Sequence, residues 1–196
     1  MSDDLFKNKY RISSARLRGW DYSWNGYYFV TICVKGSECV FGNVENGETV
    51  LSRIGEIVNQ CWQEIPRHFS FVQLDEFVIM PNHVHGIIII NNNVVETLHA
   101  TSLRHAMSLH KSNIRDSKSF SNISPKQGSL SSVIRSFKSA VTKLVNNELP
   151  HQFFAWQPRF YDRIIRDEKE LWNVRNYIRN NPLKWEEDEE NPLKSQ

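Results

Sequence analysis

The chain has 196 residues, 40% of them hydrophobic and 23% charged, enough for one well-buried core with an appendage and too few for two large domains. Its first twenty residues, MSDDLFKNKYRISSARLRGW, are polar and basic and read as no secretory signal, and no stretch reaches the ~18 consecutive apolar residues of a membrane span. Cys33, Cys39 and Cys61 contain no C-x-x-C pair, which argues against a disulfide framework or zinc knuckle and for a reducing cytoplasm.

The formal charge of +2 is unevenly spread. The run EEDEE at 186–190 holds five of the 22 acidic residues, so the rest of the chain sets 24 basic against 17 acidic residues, or +7. Lys7, Lys9, Arg11, Arg16 and Arg18 cluster near the start, and Arg159, Arg163, Arg166, Arg175, Arg179 and Lys184 near the end. Such clusters attract polyanions, of which nucleic acid is the usual one, although a solvated surface carries similar charge.

In chain order, YYFVTICV (27–34) is aromatic and β-branched and reads as a central strand. Asn46-Gly47 between short apolar runs signals a hairpin, because both residues tolerate positive φ. Ile54, Ile57, Val58, Cys61, Trp62 and Ile65 form one apolar helical stripe, which Pro66 is expected to stop. FSFVQLDEFVIM and HVHGIIII are the next two strands, with Pro81-Asn82 as the bend between them.

Residues 91 to about 128 are rich in Ser and Asn and too long for an ordinary connection, so they read as a polar, flexible insertion. Leu130, Ile134, Phe137, Val141 and Leu144 mark a further helix, with Arg135, Lys138 and Lys143 off its apolar stripe. FYDRIIR (160–166) is a short strand, and Asp167 followed by Glu170 caps a last helix that runs to Asn180 and ends before Pro182. The order suggests a single α+β domain over 1–196, an antiparallel sheet with helices on one face in the ferredoxin-like or RRM-like class, trailed by an acidic tail at 186–196.

Alternation along MPNHVHGIIII points His83 and His85 to one face of a strand, about 6–7 Å apart. Both rings can reach one metal ion, and Gly86 beside them leaves room for a ligand. Equally, each ring can be a half-buried histidine hydrogen-bonded to its neighbours. Tyr177 and Asn181, four residues apart, share a face of the last helix. Asn181 precedes proline, which biases it away from the α conformation, so a frayed helix end is expected there. On spacing alone, Tyr177 also fits a residue that packs the helix on the sheet.

Taken together, MPNHVHGI, QPRFYDR and NYIRNNP, in that order and at these distances, resemble the single-tyrosine HUH transposases, in particular the branch associated with repetitive extragenic palindromes (REPs). The resemblance runs from Arg16 to Trp185. It implies an HUH nuclease fold, His83 and His85 as metal ligands, Tyr177 as nucleophile and Asn181, where many relatives have glutamine, as the side chain completing the metal site. It further implies Mg²⁺ or Mn²⁺ as cofactor, single-stranded DNA with palindromic hairpins as partner, a 5′-phosphotyrosine intermediate and a monomer or homodimer in the cytoplasm.

Arg159, Arg163, Arg166, Arg175, Arg179, Lys138, Arg16 and Arg18 are the candidate DNA contacts. Arg175 and Arg179 are also candidate cations to help the phenol ionise. Trp156, Phe160 and Tyr161 either stack unpaired bases or belong to the core and its rim, and Tyr161, a strand residue, reads as structural. Two other function classes fit: a catalytically inactive, domesticated hairpin-binding protein, which would form no covalent adduct, and an unrelated metal-dependent hydrolase, which would be indifferent to Tyr177.

Overall fold

In the computed structural model, residues 17, 19–92, 125–188 and 190–195 are described. Most of the insertion expected at 91–128 and the basic residues up to Arg16, together with Arg18, lie outside them. Among the described residues there are six strands: β1 (Gly26–Cys33), β2 (Gly42–Glu45), β3 (Glu48–Leu51), β4 (Val72–Ile79), β5 (His83–Ile90) and β6 (Tyr161–Ile165). The α-helices are α1 (Arg53–Gln63), α2 (Ile65–His68), α3 (Leu130–Glu148) and α4 (Glu168–Asn180). Among the described residues no helix is long and apolar enough to cross a membrane.

Four strands form one antiparallel sheet in the order β4-β5-β1-β6, and β2 and β3 form a separate hairpin. Its turn is the Asn46-Gly47 pair, at φ 54° and 78°, the left-handed conformation those residues were expected to supply. The strands β5 and β1 are central and therefore covered on both faces, which explains their nearly continuous apolar sequences.

Side-chain alternation sorts the two faces. Tyr28, Val30 and Ile32 of β1 and Val84, Ile88 and Ile90 of β5 pack with Ile54, Ile57, Val58 and Trp62 of α1 and Leu130, Ile134, Phe137 and Val141 of α3. On the other side, Ile87 and Ile165, with Phe29, Val78 and Ile89 against them, meet Leu171, Val174 and Ile178 of α4. The α+β class and antiparallel sheet are as the sequence predicts. The helices, however, occupy both faces, because the apolar stripe of α4 covers the odd-numbered residues of β1 and β5 and leaves α1 and α3 the even-numbered ones.

Two proline readings also change. Pro66 does not end helical structure: it sits in the first turn of α2, where a missing N–H costs nothing. Asn181 takes helical angles, φ −61° and ψ −41°, despite preceding Pro182, and the chain continues into a 3₁₀ turn over Pro182–Glu187. The last helix starts where expected, with Asp167 Oδ1 accepting from the Glu170 N–H at 2.7 Å, a cap worth about 1 kcal/mol.

Gly86 has a different use from the one its sequence position suggests. It faces α1, and a Cβ there would lie 2.3 Å from Trp62 Cζ2 and 3.1 Å from Phe77 Cβ. Glycine at this position admits the fully buried indole of Trp62 to the sheet and opens no space beside the histidines. Gly86→Ala is therefore expected to lower stability by about 1–3 kcal/mol through overpacking, seen as a lower midpoint in thermal or urea unfolding.

Candidate active site

Strand β5 carries His83 and His85 to the α4 face, at 0% and 4% exposure. Their ring centroids are 4.3 Å apart. Each ring is oriented through Nδ1. His83 Nδ1 lies 2.8 Å from Asn82 Oδ1, while the Asn82 amide nitrogen donates to the carbonyls of Ser37 (3.0 Å) and Glu190 (2.6 Å). The amide is thereby fixed with its oxygen toward the ring, so His83 Nδ1–H donates and Nε2 keeps its lone pair. His85 Nδ1 lies 2.9 Å from Thr31 Oγ1, and its Nε2 is 3.2 Å from the Tyr177 hydroxyl.

Burial pushes His83 from its ordinary value near 6.5 down to about 3. His85 falls likewise to about 3, through burial first and then the neighbouring His83, opposed by the Asp188 carboxylate. Both rings are neutral at neutral pH, the form that binds metal.

The third member of the cluster comes from the acidic run at the carboxyl end. Ligand atoms of His83, His85 and Asp188 all lie within 4.8 Å of one another, a group able to hold a metal ion. Asn181 stands beside it, its amide nitrogen 3.2 Å from Asp188 Oδ2. Among the described residues nothing hydrogen-bonds to two buried atoms here, His83 Nε2 and Asn181 Oδ1. Leaving such atoms unsatisfied costs about 1–3 kcal/mol each, and two imidazole nitrogens, a carboxylate and an amide oxygen form a coherent donor set for a divalent cation. The residues present fit a metal.

Tyr177 is half-exposed on α4 and packs edge-on against Phe29, which stacks on His85. The phenol borders an open cleft of about 720 Å³ lined also by Thr31, Tyr161, Asn180, Lys184 and Asp188. The helix is held from its opposite side. A bulge in β4 between Leu74 and Phe77 presents Asp75 and Glu76 to α4, where Arg175 makes a two-pronged pair with Asp75 (2.9 and 2.5 Å) and Arg179 pairs with Glu76. The guanidinium of Arg175 holds the Asp75 carboxyl below the usual carboxylate range.

Thus Tyr177, His83, His85 and Asn181 come together, while Arg175 and Arg179, expected beside the phenol, are instead committed to β4. Arg163 pairs with Glu170 at 2.6 Å. Arg159 and Arg166 are exposed and make no ion pair with a described residue. Lys138 lies on α3, donating to the carbonyls of Gln157 and Arg159. Trp156 packs with Phe41, Phe137 and Phe154, and Phe160 lies against the same core. Tyr161, by contrast, is 57% exposed and lines the cleft.

Sequence reasoning missed Thr31, Asn82 and Asp188. Asn82 directly precedes the histidine pair, a detectable signal, whereas Asp188 was hidden in a run that reads as a solvated tail.

The fold and site define an α+β protein with a metal-capable histidine pair facing a tyrosine. No family model matches the chain. It is similar to an uncharacterized protein of Haemophilus influenzae (strain ATCC 51907 / DSM 11121 / KW20 / Rd), 39% identical over 181 residues that cover 90% of this chain and 91% of the relative. The chain belongs to the family of that protein. Among solved structures it is similar to a REP-associated tyrosine transposase bound to a REP hairpin, with TM-score 0.52 and 16% identity over 87% of this chain and 74% of that one. The fold is transposase-like.

Two measurements test the centre. Isothermal titration with Mn²⁺ is expected to show binding that His83→Ala abolishes and Asn82→Ala weakens about 10–100-fold, the usual cost of losing the group that orients a ligand. In the metal-free protein the unfolded histidines bind protons below about pH 6.5 and the folded ones do not until about pH 3. Stability is therefore complete above pH 6.5 and falls progressively toward pH 3, and His85→Gln should flatten the decline of the thermal midpoint.

Proposed function

We propose that the chain is a metal-dependent transposase and endonuclease that cleaves and rejoins single-stranded DNA beside palindromic hairpins, with Tyr177 as nucleophile. The observation carrying this reading is the Tyr177 hydroxyl, 3.2 Å from His85 Nε2 and at the wall of an open cleft with the metal-capable group on its floor. An unrelated metal-dependent hydrolase is expected to be indifferent to Tyr177, so Tyr177→Phe separates the two readings. The fold shared with a hairpin-bound transposase supports DNA as the substrate class.

In the reaction, the Tyr177 oxygen attacks a backbone phosphorus and the bond to the 3′ oxygen breaks. The phenol loses one proton and the departing 3′ oxygen gains one, leaving a 5′-phosphotyrosine and a free 3′-hydroxyl. The covalent link retains the energy needed for rejoining. His83, His85 and Asp188, with Asn181, would hold Mg²⁺ or Mn²⁺, which supplies positive charge at the scissile phosphate and leaving oxygen.

The Tyr177 hydroxyl lies 3.2 Å from His85 Nε2, a nitrogen that would also be a ligand of the metal, so nucleophile and metal would share this histidine. Lys184 is the cation that lines the cleft, and it takes the phosphate-facing role that Arg175 and Arg179 cannot. On the neighbouring surface, Phe29, Arg163, Arg166, Lys169 and Tyr177 border a second groove that continues past the phenol and provides a path for the strand.

The test is a denaturing gel of labelled single-stranded DNA carrying palindromes from the gene's own flanks, incubated with Mn²⁺. Wild type should give a covalent protein–DNA band that Tyr177→Phe and His83→Ala lack, and Lys184→Ala should slow its appearance about 10- to 100-fold, in the range of lost electrostatic stabilisation. Tight binding without any band would overturn the enzyme reading in favour of a hairpin-binding protein.

A further inference from the structure

The cleft at Tyr177 has two kinds of lining. Glu187, Asp188 and Glu190, set against Lys184, come from the carboxyl-terminal segment, whereas Tyr161, Asn173, Asn176 and Asn180 carry no charge. The proposed reaction uses none of these uncharged four.

Tyr161 reaches the cleft through strand register. Ile165 meets α4, and alternation along β6 brings Tyr161 to that same face of the sheet. There Tyr161 pairs with Thr31, which pairs in turn with His85, so the three stand in one row across β6, β1 and β5. Two strand spacings, about 10 Å, separate the Tyr161 backbone from that of the histidine beside the nucleophile. At 57% exposure on an edge strand, its ring adds little to the core.

Asn173, Asn176 and Asn180 recur at i, i+3 and i+7, on a face of α4 that also carries Tyr177. Asparagine is a poor helix former, because its amide competes with the backbone for hydrogen bonds. Three of them on one side of a 13-residue helix work against the element that holds the nucleophile in place. Asn180 donates its amide nitrogen to the Asn176 carbonyl at 2.8 Å, a bond within the helix. That leaves Asn173 and Asn176 as amides on the cleft wall with no such use, and residues that break a local rule are expected where function requires them.

We infer that this lining is a nucleobase pocket: one unpaired base next to the scissile phosphate stacks on the Tyr161 ring and is hydrogen-bonded at its edge by the amides of Asn173 and Asn176. The inference rests on the DNA reading proposed above. Acids in the cleft disfavour a phosphate, but they do not repel an uncharged base, which is the part of a nucleotide that a neutral ring and neutral amides suit. Every base has a π-face for the ring, and an amide offers the side-by-side donor and acceptor that match a base edge. Stacking thus positions the nucleotide, and the amides favour one base over the others.

Fluorescence anisotropy on labelled single strands tests the pocket, using the flank that wild type cleaves and copies with an abasic site at each position in turn. Affinities are read in the Tyr177→Phe background, where the strand stays intact. An abasic site beside the cleaved bond should weaken binding about 5- to 150-fold, the worth of one stacked base. Adding Tyr161→Leu should weaken binding of the unmodified strand by a similar factor and erase the effect of that abasic site, while adding Tyr161→Phe should change neither. Asn173→Ala/Asn176→Ala should narrow the spread of affinity among the bases at that position and leave the thermal midpoint unchanged or higher, since alanine is the better helix former. A scan in which no abasic site weakens binding would overturn the inference without recourse to a variant at 161. Abasic losses that persist in full with Tyr161→Leu, or an effect of Tyr161→Phe equal to that of leucine, would overturn the stacking, and an unchanged spread of base preference would overturn the amide contacts. Each of these leaves the function standing. Wild type that forms no covalent band on any flank would instead remove the functional reading on which the pocket rests.

Discussion

His83 and His85 project from one side of a strand at the centre of the sheet, with rings 4.3 Å apart and almost no contact with water. A charged imidazole there would be repelled by its neighbour and stripped of hydration, so both are neutral and each must find a partner for two nitrogens. Asn82 and Thr31 satisfy the Nδ1 atoms. The Nε2 atoms are left facing Asp188 and Tyr177. The Asn82 amide also donates to the backbone of Glu190 and Ser37, which ties the carboxyl-terminal segment and the loop after β1 to the orientation of one ring.

Helix α4 must then be located to within the length of a hydrogen bond, although it rests on only a small apolar cluster. Charge completes the placement. The paired Arg175 and Arg179 lie one turn apart on α4, and Tyr177 between them points about 200° away from Arg175. The bulged acids of β4 grip one side of the helix while the phenol descends on the other. These arginines therefore tie α4 to β4.

Much of the fold was legible because its signals are local. Asn46-Gly47 names its own turn, Asp167 and Glu170 their own cap, and the spacing of Ile54 to Trp62 its helical face. The face each helix would occupy was not legible, since that depends on which parity of β1 residues meets which stripe. Within the site, alternation gave the two histidines a common side and helical spacing set Tyr177 and Asn181 together. Gly86 was misread because a missing Cβ announces close approach without saying by what, and here the visitor is Trp62 from the other face. Asp188 was illegible for a related reason: in a row of five acids nothing local distinguishes the one that folds back.

The return of that acidic segment depends on Asn181. A pre-proline residue with helical angles carries the chain directly from α4 into the 3₁₀ turn, so the segment curls over the histidines. The consequence is electrostatic. With Lys184 set against Glu187, Asp188 and Glu190, the cleft lining carries a net charge of −2, which disfavours an incoming phosphate. A divalent cation on the histidine–aspartate group would bring that sum to zero and remove the net repulsion. Under the proposed function, the carboxylate that would hold the ion is also among those that repel a polyanion, so metal and DNA binding would be coupled through charge.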